Sequence, residues 1–206
     1  MNASIYIEGG ASGPNSKYLN TKCQEAFHKL LDKMGFTGRK PHLVACGGRQ
    51  NVFDRFCTKM KTTSAEYVAM WIDSEEPMQD PEKAWQHLAA VTTVGPWTKP
   101  ASADDDQVLF MTTCMETWIA TDRNTLISHY GKALQEKHLP SLNNLENLGR
   151  HTVQNQLTQA TKSCDKPYAK GESSFEILSK LDNDELRKHL KSFRRIERIL
   201  ESRLKK

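Results

Sequence analysis

The sequence predicts an α/β protein with a mostly parallel sheet flanked by helices and a helical extension at its C-terminal end. Short apolar runs alternate with stretches of helical periodicity, and the connections between them are short. The run from Tyr67 to Ile72 is apolar or small at every position, which is typical of a strand buried on both faces of a sheet. Alternation of strands and helices indicates parallel pairing with right-handed crossovers.

The first half of the chain accounts for most of the sheet. Its helices are predicted from apolar residues at spacings of three and four, and its strands from short apolar runs that end at glycine or acidic residues. In order, the elements are a strand at 5–7, a helix from 15 or 16 to about 34, a strand at 41–46, a helix from about 49 to 61, and the central strand at 67–72.

The second half begins with one more strand and ends in helices. The predicted elements are a helix start at 80–82, a loop at 92–106, a strand at 108–113, a helix that begins near 114, a helix from 122 to about 130, a weak apolar stripe at 148–164, a loop at 167–173 and two helices after 174. We therefore expect an α/β domain over residues 1–135 and a helical extension over 136–206 that packs on it.

Composition indicates an ordinary globular protein, with 37% hydrophobic and 26% charged residues in a chain of 206. No apolar run approaches the ~20 residues that cross a bilayer, and the N-terminus lacks the pattern of a secretion signal. We therefore expect a cytoplasmic protein without membrane contact. The five cysteines are widely spaced, which argues against a zinc site and against a disulfide framework.

Positive charge is concentrated at the C-terminal end. Residues 183–206 contain nine Lys or Arg and four Asp or Glu, although the whole chain carries a net charge of only +4. A single helix from about 184 to 203 would lay its apolar stripe on the core and leave a basic strip outward. This strip would consist of Arg187, Lys188, Lys191, Arg194, Arg195 and Arg198. Such a strip suits nucleic acid or an acidic partner, although solvated basic helices are also common.

Acidic residues follow three of the predicted strands. Glu8 ends the first strand, Asp73 and Glu75 end the central strand, and Glu116 follows the fourth. The carboxyl ends of parallel strands lie at one edge of a sheet, where α/β proteins bind their ligands. In extended backbone, Asp73 and Glu75 point to the same side and repel each other unless a cation lies between them. Carboxylates without histidine or thiol ligands suit Mg²⁺ or Mn²⁺.

Other interpretations of these residues stay open. Acids after a strand are also expected in any wet loop, and Glu116 in the first turn of a helix would stabilise the helix dipole. We interpret the three aspartates at 104–106 as a solvated loop tip rather than a metal site. Gly9 and Gly10 permit a sharp turn that lets a phosphate or metal approach, and Lys170 lies in a loop where it could meet an anion.

The order and spacing of four short motifs resemble a known fold. A glutamate at the end of the first strand followed by a glycine loop, and then a strand that ends in Asp-x-Glu, resemble the toprim fold, a Rossmann-like fold shared by topoisomerases, bacterial primases and the overcoming-lysogenization-defect nucleases. Four motifs contain these and further features, namely IYIEGG, WIDSEEP, TCMETW and KGESSFEIL. More narrowly, they look like an uncharacterised bacterial toprim-like family that is encoded beside AAA or ABC-type ATPases in phage-defence islands. The resemblance covers the chain from Ile5 to about Leu204.

This resemblance implies a catalytic site and a metal site that share residues. The catalytic residues would be Glu8, Asp73, Glu75 and Lys170. The metal ligands would be Glu8, Asp73, Glu75 and Glu116. Gly9 and Gly10 would form a loop that binds the cofactor. Two positions depart from the common toprim pattern. Glu75 stands where many toprim enzymes have Asp, and Gly9-Gly10 replaces a glycine-lysine pair.

The resemblance also implies a function. The protein would be a Mg²⁺- or Mn²⁺-dependent endonuclease that hydrolyses DNA or RNA, as the effector of an antiviral defence system controlled by an AAA or ABC-type ATPase. The alternative is a non-catalytic toprim-like adaptor that binds nucleic acid or its partner ATPase through the basic tail. The sequence leaves the oligomeric state open, a homo-oligomer included.

Overall fold

The computed structural model describes residues 3–13, 16–62 and 66–204. Four strands in these ranges form one parallel sheet in the order β2-β1-β3-β4. The strands are β1 Ala3–Ile7, β2 His42–Ala45, β3 Tyr67–Asp73 and β4 Val108–Met111. The predicted α/β fold with a parallel sheet is therefore confirmed, and all four strands lie where the apolar runs indicated.

Helices cover both faces of this sheet. They are α1 Ser16–Lys33, α2 Arg49–Thr62, α3 Ala84–Ala90, α4 Met115–Thr121, α5 Arg123–Tyr130, α6 Arg150–Thr161, α7 Glu172–Leu178, α8 Asn183–His189 and α9 Lys191–Arg203. The larger core lies between one face of the sheet and α1 together with the helices from α4 onward, and the smaller core lies between the other face and α2 and α3. None of the helices in the described ranges is long and apolar enough to cross a bilayer.

Strand β3 is buried on both faces, as its continuous apolar run predicts. Tyr67, Ala69 and Trp71 belong to the larger core, and the alternate residues belong to the smaller one. The ring of Trp71 packs edge-on against Phe27 at 4.8 Å and against Trp118 at 6.1 Å between centroids. These contacts tie β3 to α1 and α4, which flank the edge where β3 ends.

The strand order places a topological switch point between β1 and β3. From β1 the chain passes through α1 to β2 on one side, and from β2 it returns through α2 over β1 to β3 on the other side. Where connections leave neighbouring strands in opposite directions, their carboxyl ends border a crevice that holds ligands in open α/β sheets. Glu8 follows β1 and Asp73 ends β3, so both acids lie at this crevice.

The C-terminal helices pack on the same face as α1, but they are two helices where one was predicted from about 184 to 203. The backbone of Leu190 is extended and separates α8 from α9. The carboxylate of Glu146 then accepts hydrogen bonds from the first two N–H groups of α9, at 2.7 Å from Lys191 N and 2.9 Å from Ser192 N. The new helix start is stable because a side chain distant in sequence satisfies donors that a continuous helix would have paired internally.

The prediction of an outward basic strip is wrong for Arg195. This side chain is 5% exposed and donates hydrogen bonds to the carbonyls of Val108 at 2.8 Å and Asp105 at 2.7 Å. Nearby, Arg198 pairs with Glu82, and Arg203 pairs with the acidic run 104–106. Arg195 and Arg203 of α9 therefore hold the loop before β4, because that loop presents backbone carbonyls and carboxylates to them.

Candidate functional site

Glu8 and Asp73 are adjacent at the switch point. The backbone of Glu8 continues the pairing of β1 with β3, since its N–H donates to the carbonyl of Trp71 at 2.8 Å. Its carboxylate Oε2 then accepts a hydrogen bond from the backbone N–H of Asp73 at 3.2 Å. Two acids that are 65 residues apart in the chain thus meet at the ends of neighbouring strands.

Asp73 is held through both its backbone and its side chain. Its carbonyl accepts a hydrogen bond from Nη1 of Arg49 at 2.8 Å, and its Oδ1 accepts one from the N–H of Met115, the first residue of α4, at 2.9 Å. The residue as a whole is only partly buried. The hydrogen bond from Met115 fixes the direction of the carboxylate.

The pKa values of both acids are raised. Burial raises the pKa of Asp73 well above its ordinary value, and the charges of Glu8 and Glu116 raise it further because like charges oppose ionisation. Burial also raises the pKa of Glu8, against the opposing effects of Arg49 and of the Asp73 N–H. A cation between the two carboxylates would favour their charged forms, so the electrostatics of the site suit one.

Glu116 lies in the first turn of α4, and its charge raises the pKa of Asp73. Its buried carboxylate accepts hydrogen bonds from the Tyr168 hydroxyl at 2.9 Å and from Gln154 Nε2 at 3.3 Å. The amine of Lys170 lies 3.7 Å from Oε1 of Glu116, while 60% of the lysine side chain is exposed. The C-terminal helical region thus supplies three polar side chains to an acid that belongs to the sheet edge.

Glu75 is directed to a different partner. Strand β3 ends at Asp73, and Glu75 has a φ of 71°, so the alternation of extended backbone that would put both side chains on one side does not apply. The buried carboxylate of Glu75 forms an ion pair with Arg150, the first residue of α6. Arg150 in turn lowers the pKa of Glu8. The guanidinium of Arg150 therefore pairs with Glu75 and also acts electrostatically on Glu8.

The four acids proposed as metal ligands are not gathered around one point. Across the described residues, no three His, Cys, Asp or Glu side chains are placed to hold one metal ion. Glu8 and Asp73 adjoin each other, but Glu75 is paired with Arg150, and Glu116 is held by Tyr168, Gln154 and Lys170. The oxygen donors of Glu8 and Asp73 fit Mg²⁺ or Mn²⁺ chemically, and a ligand set beyond these two would require side chains to move.

The glycines after β1 are required by close packing. Gly10 has a φ of 85°, and a Cβ on Gly9 would lie 2.9 Å from the Cys23 sulfur of α1. Gly9 and Gly47 exchange both backbone hydrogen bonds, at 2.9 and 2.8 Å, which joins the loops after β1 and β2. The predicted role of Gly9 and Gly10 in cofactor binding stays a prediction. Cys23, which packs against Gly9, is one of five free cysteines.

Arg49 is a site residue that sequence reasoning treated only as a helix start. It is the first residue of α2, its side chain is 9% exposed, and its guanidinium contacts Asp73 as described above. Its position in the sequence could have indicated that Arg49 belongs to the site. It follows Gly47-Gly48 at the end of β2, so it belongs to the same sheet edge as the acids that the sequence did single out.

A family model matches almost the whole chain. The model is that of a domain of unknown function, DUF4276, and it matches residues 12–201. The matched range includes Asp73, Glu75, Glu116 and Lys170 and begins after Glu8. Comparisons with curated proteins and with solved structures found no match.

Proposed function

Because the chain belongs to the DUF4276 family, a domain of unknown function, we propose a function from the chemistry of the site. The protein is a Mg²⁺- or Mn²⁺-dependent nuclease of toprim type that hydrolyses phosphodiester bonds of DNA or RNA. It acts as the effector of an ATPase-associated antiviral system, a role implied by the resemblance of its motifs to the toprim-like family described above. The observation that carries the proposal is the contact between Glu8 and Asp73 at the crevice between β1 and β3.

The two acids have complementary roles in this proposal. Asp73 is fixed by the N–H of Met115 and is a metal ligand. Glu8 is a second ligand or a general acid/base, since burial raises its pKa toward the range where a carboxyl group exchanges protons efficiently. A bound divalent cation would supply charge neutralisation for the phosphodiester and acidity for an attacking water. Glu8 accepts the proton of that water or returns one to the leaving oxygen.

Lys170 stabilises negative charge on the phosphate. Its charge lowers the pKa of both Glu8 and Asp73, so the amine lies within electrostatic reach of both acids. Contact with Glu116 at 3.7 Å restrains a flexible side chain whose larger part is exposed. A restrained cation beside the reacting phosphate adds to transition-state stabilisation because it need not reorganise during the reaction.

An adaptor without catalytic activity is the second candidate. The ion pair of Glu75 with Arg150, and the hydrogen bonds of Glu116 to Tyr168 and Gln154, form a network in which both acids already have partners. Such a network also suits a purely structural role. In that case the protein binds nucleic acid or a partner ATPase, and its acids keep the sheet edge in place.

Metal binding separates the two candidates without relying on activity. We expect wild-type protein to bind Mn²⁺ in a calorimetric titration, and Asp73→Asn to bind it at least about tenfold more weakly because a charged ligand is lost. Glu201→Gln, a change at an exposed residue of α9, should bind Mn²⁺ as the wild type does. Equal Mn²⁺ affinity of the wild type and Asp73→Asn would favour the adaptor.

Cleavage is tested with the same variants. Purified protein is incubated with labelled DNA and RNA in Mg²⁺ or Mn²⁺, with and without the AAA or ABC-type ATPase that the proposal expects as its partner. The nuclease proposal expects products from the wild type and from Glu201→Gln, and none from Asp73→Asn. Cleavage by Asp73→Asn at the wild-type rate would contradict it.

A further inference from the structure

One edge of the Arg49 guanidinium is buried without a partner. Nη1 donates to the carbonyl of Asp73 at 2.8 Å, whereas Nε and Nη2 are buried and have no hydrogen-bond partner in the part of the chain that the structure describes. Buried donors are nearly always paired in folded proteins, because leaving them unpaired costs free energy. Two unpaired donors on one side chain therefore call for a partner that the described residues do not supply.

The geometry of the unpaired donors selects the ligand. Nε–H and one Nη2–H project in parallel from the same edge of a guanidinium, and this spacing matches two oxygens of a phosphate or carboxylate. The donor pair belongs to Arg49 at the start of α2, a helix of 14 residues, whose N-terminal end also favours negative charge. An anion with at least two oxygens fits both features.

The guanidinium is held rigidly in place. It lies over the ring of Trp97 with its Cζ 4.2 Å from the ring centroid, and Phe53 stacks on the same indole at 4.3 Å with the rings 9° from parallel. Because one face of an aromatic ring cannot hold both groups, Trp97 is enclosed between them. Arg49 therefore loses little conformational freedom when it binds a ligand.

A second guanidinium, that of Arg150, acts electrostatically on Arg49 and on Glu8. Arg150 lowers the pKa of Arg49 by charge repulsion, in addition to the larger effect of burial, and both arginines lower the pKa of Glu8. An anion near both guanidiniums would relieve their repulsion. Glu8 and Asp73 lie beside Arg49 as well, so this anion would sit next to the proposed metal ligands.

We propose that the Nε and Nη2 edge of Arg49 binds a phosphate group of a nucleic-acid strand, beside the acids Glu8 and Asp73. The identity of the phosphate as part of a polynucleotide rests on the proposed function, whereas the anion site itself rests on the unpaired donors. Arg150 is the second cation of this site. The phosphate bound here is held in place for reaction at the crevice between β1 and β3.

Binding without metal tests the proposal. Affinity for a short fluorescent oligonucleotide and for inorganic phosphate is measured in the presence of a chelator, so that no cleavage occurs. Arg49→Lys keeps the charge but loses the paired donors, and it should weaken both affinities by about ten- to a hundredfold. Arg55→Lys, at an exposed position of the same helix, should leave both unchanged. Unchanged affinity of Arg49→Lys for both ligands would overturn the proposal.

A measurement on the wild type covers the case in which Arg49→Lys does not fold. Phosphate is titrated into ¹⁵N-labelled protein while the arginine Nε–H resonances are followed. We expect one resonance to shift and to become slower in exchange with water, and a titration in which none moves contradicts the anion site. Weakened phosphate binding with unchanged oligonucleotide binding in Arg49→Lys would overturn the assignment to a polynucleotide.

The two proposals fail in different ways. Wild-type protein that binds phosphate through Arg49 but cleaves neither DNA nor RNA would refute the nuclease and leave the anion site standing. An Arg49→Lys variant that cleaves with the wild-type kcat and KM would refute the anion site and leave the nuclease standing.

Discussion

The backbone N–H of Asp73 donates a 3.2 Å hydrogen bond to the carboxylate of Glu8, so the acid that follows β1 is bonded to the residue that ends β3. The contact joins two strands at the point where the chain connections diverge. Arg49 holds the carbonyl of the same aspartate, and Met115 holds its carboxylate. One residue thus connects the ends of β1 and β3 to the first turns of α2 and α4.

Asp73→Asn should stabilise the metal-free protein at neutral pH. The folded state raises the pKa of Asp73, so its ionisation costs stability as pH rises above the unfolded value of about 4. Asparagine keeps an acceptor for the Met115 N–H and removes the charge. We expect a melting temperature higher by about 2 °C or more at pH 7, since ~1 kcal/mol shifts a protein of this size by about 2–4 °C.

The pH dependence provides the check on this prediction. Metal-free wild-type protein should lose stability as pH rises from about 4 toward the raised pKa of Asp73, and Asp73→Asn should lose less over the same range. Mn²⁺ at the same concentration should stabilise the wild type more than Asp73→Asn. A large loss of stability in metal-free Asp73→Asn would instead assign the carboxylate a structural role.

Lys170→Met should lower kcat with little effect on folding. Its amine is proposed to stabilise charge that develops on the phosphate, and loss of one such group costs about 10²- to 10³-fold in kcat. Lys166→Met is the matched control, because Lys166 is exposed in the same loop. Single-turnover cleavage in Mg²⁺ compares the two. An equal loss in both variants would mean that the loop contributes only general positive charge.

Glu146→Ala should destabilise the fold from a position outside the site. Its carboxylate accepts hydrogen bonds from Lys191 N and Ser192 N at the start of α9, and loss of a helix cap costs about 0.5–2 kcal/mol. Urea denaturation gives the free energy of unfolding. Glu201→Ala, at an exposed position of α9, should change that free energy by less than about 0.5 kcal/mol.

Arg195→Met should be more damaging than Arg194→Met. Arg195 is buried and donates to the carbonyls of Val108 and Asp105, and each carbonyl left unpaired costs about 1–3 kcal/mol. Arg194 is exposed and donates to the carbonyl of Arg187, so the same change there removes an exposed hydrogen bond rather than the contacts of a buried side chain. Urea denaturation of both variants decides the point, and equal unfolding free energies would contradict the structural role of Arg195.

The exposed part of the basic tail should contribute to nucleic-acid affinity. Lys191 and Arg194 are exposed on α9, and the double variant Lys191→Gln/Arg194→Gln should lower the salt slope of oligonucleotide binding by about one to two units. The measurement is the affinity at several salt concentrations. Unchanged affinity together with lost association with the proposed partner ATPase would show that the tail docks a protein.

The sequence by itself predicted the parallel sheet and the meeting of Glu8 with Asp73. The apolar run of β3 indicated a strand buried on both faces, and the alternation of elements indicated parallel pairing. Parallel strands bring their carboxyl ends to one edge, so two acids that each follow a strand must share that edge. Both conclusions follow from local patterns, because they depend only on strand periodicity and connection length.

Only the tertiary structure decided which partner each charged side chain meets. Glu75 left the predicted acid pair because its backbone has a positive φ, and it pairs with Arg150, 75 residues later in the chain. Arg195 and Arg194 adjoin in one helix, yet one is buried against the loop before β4 and the other is exposed. Helical periodicity fixes the direction of a side chain relative to its own helix, whereas burial and pairing depend on what a distant segment places in that direction.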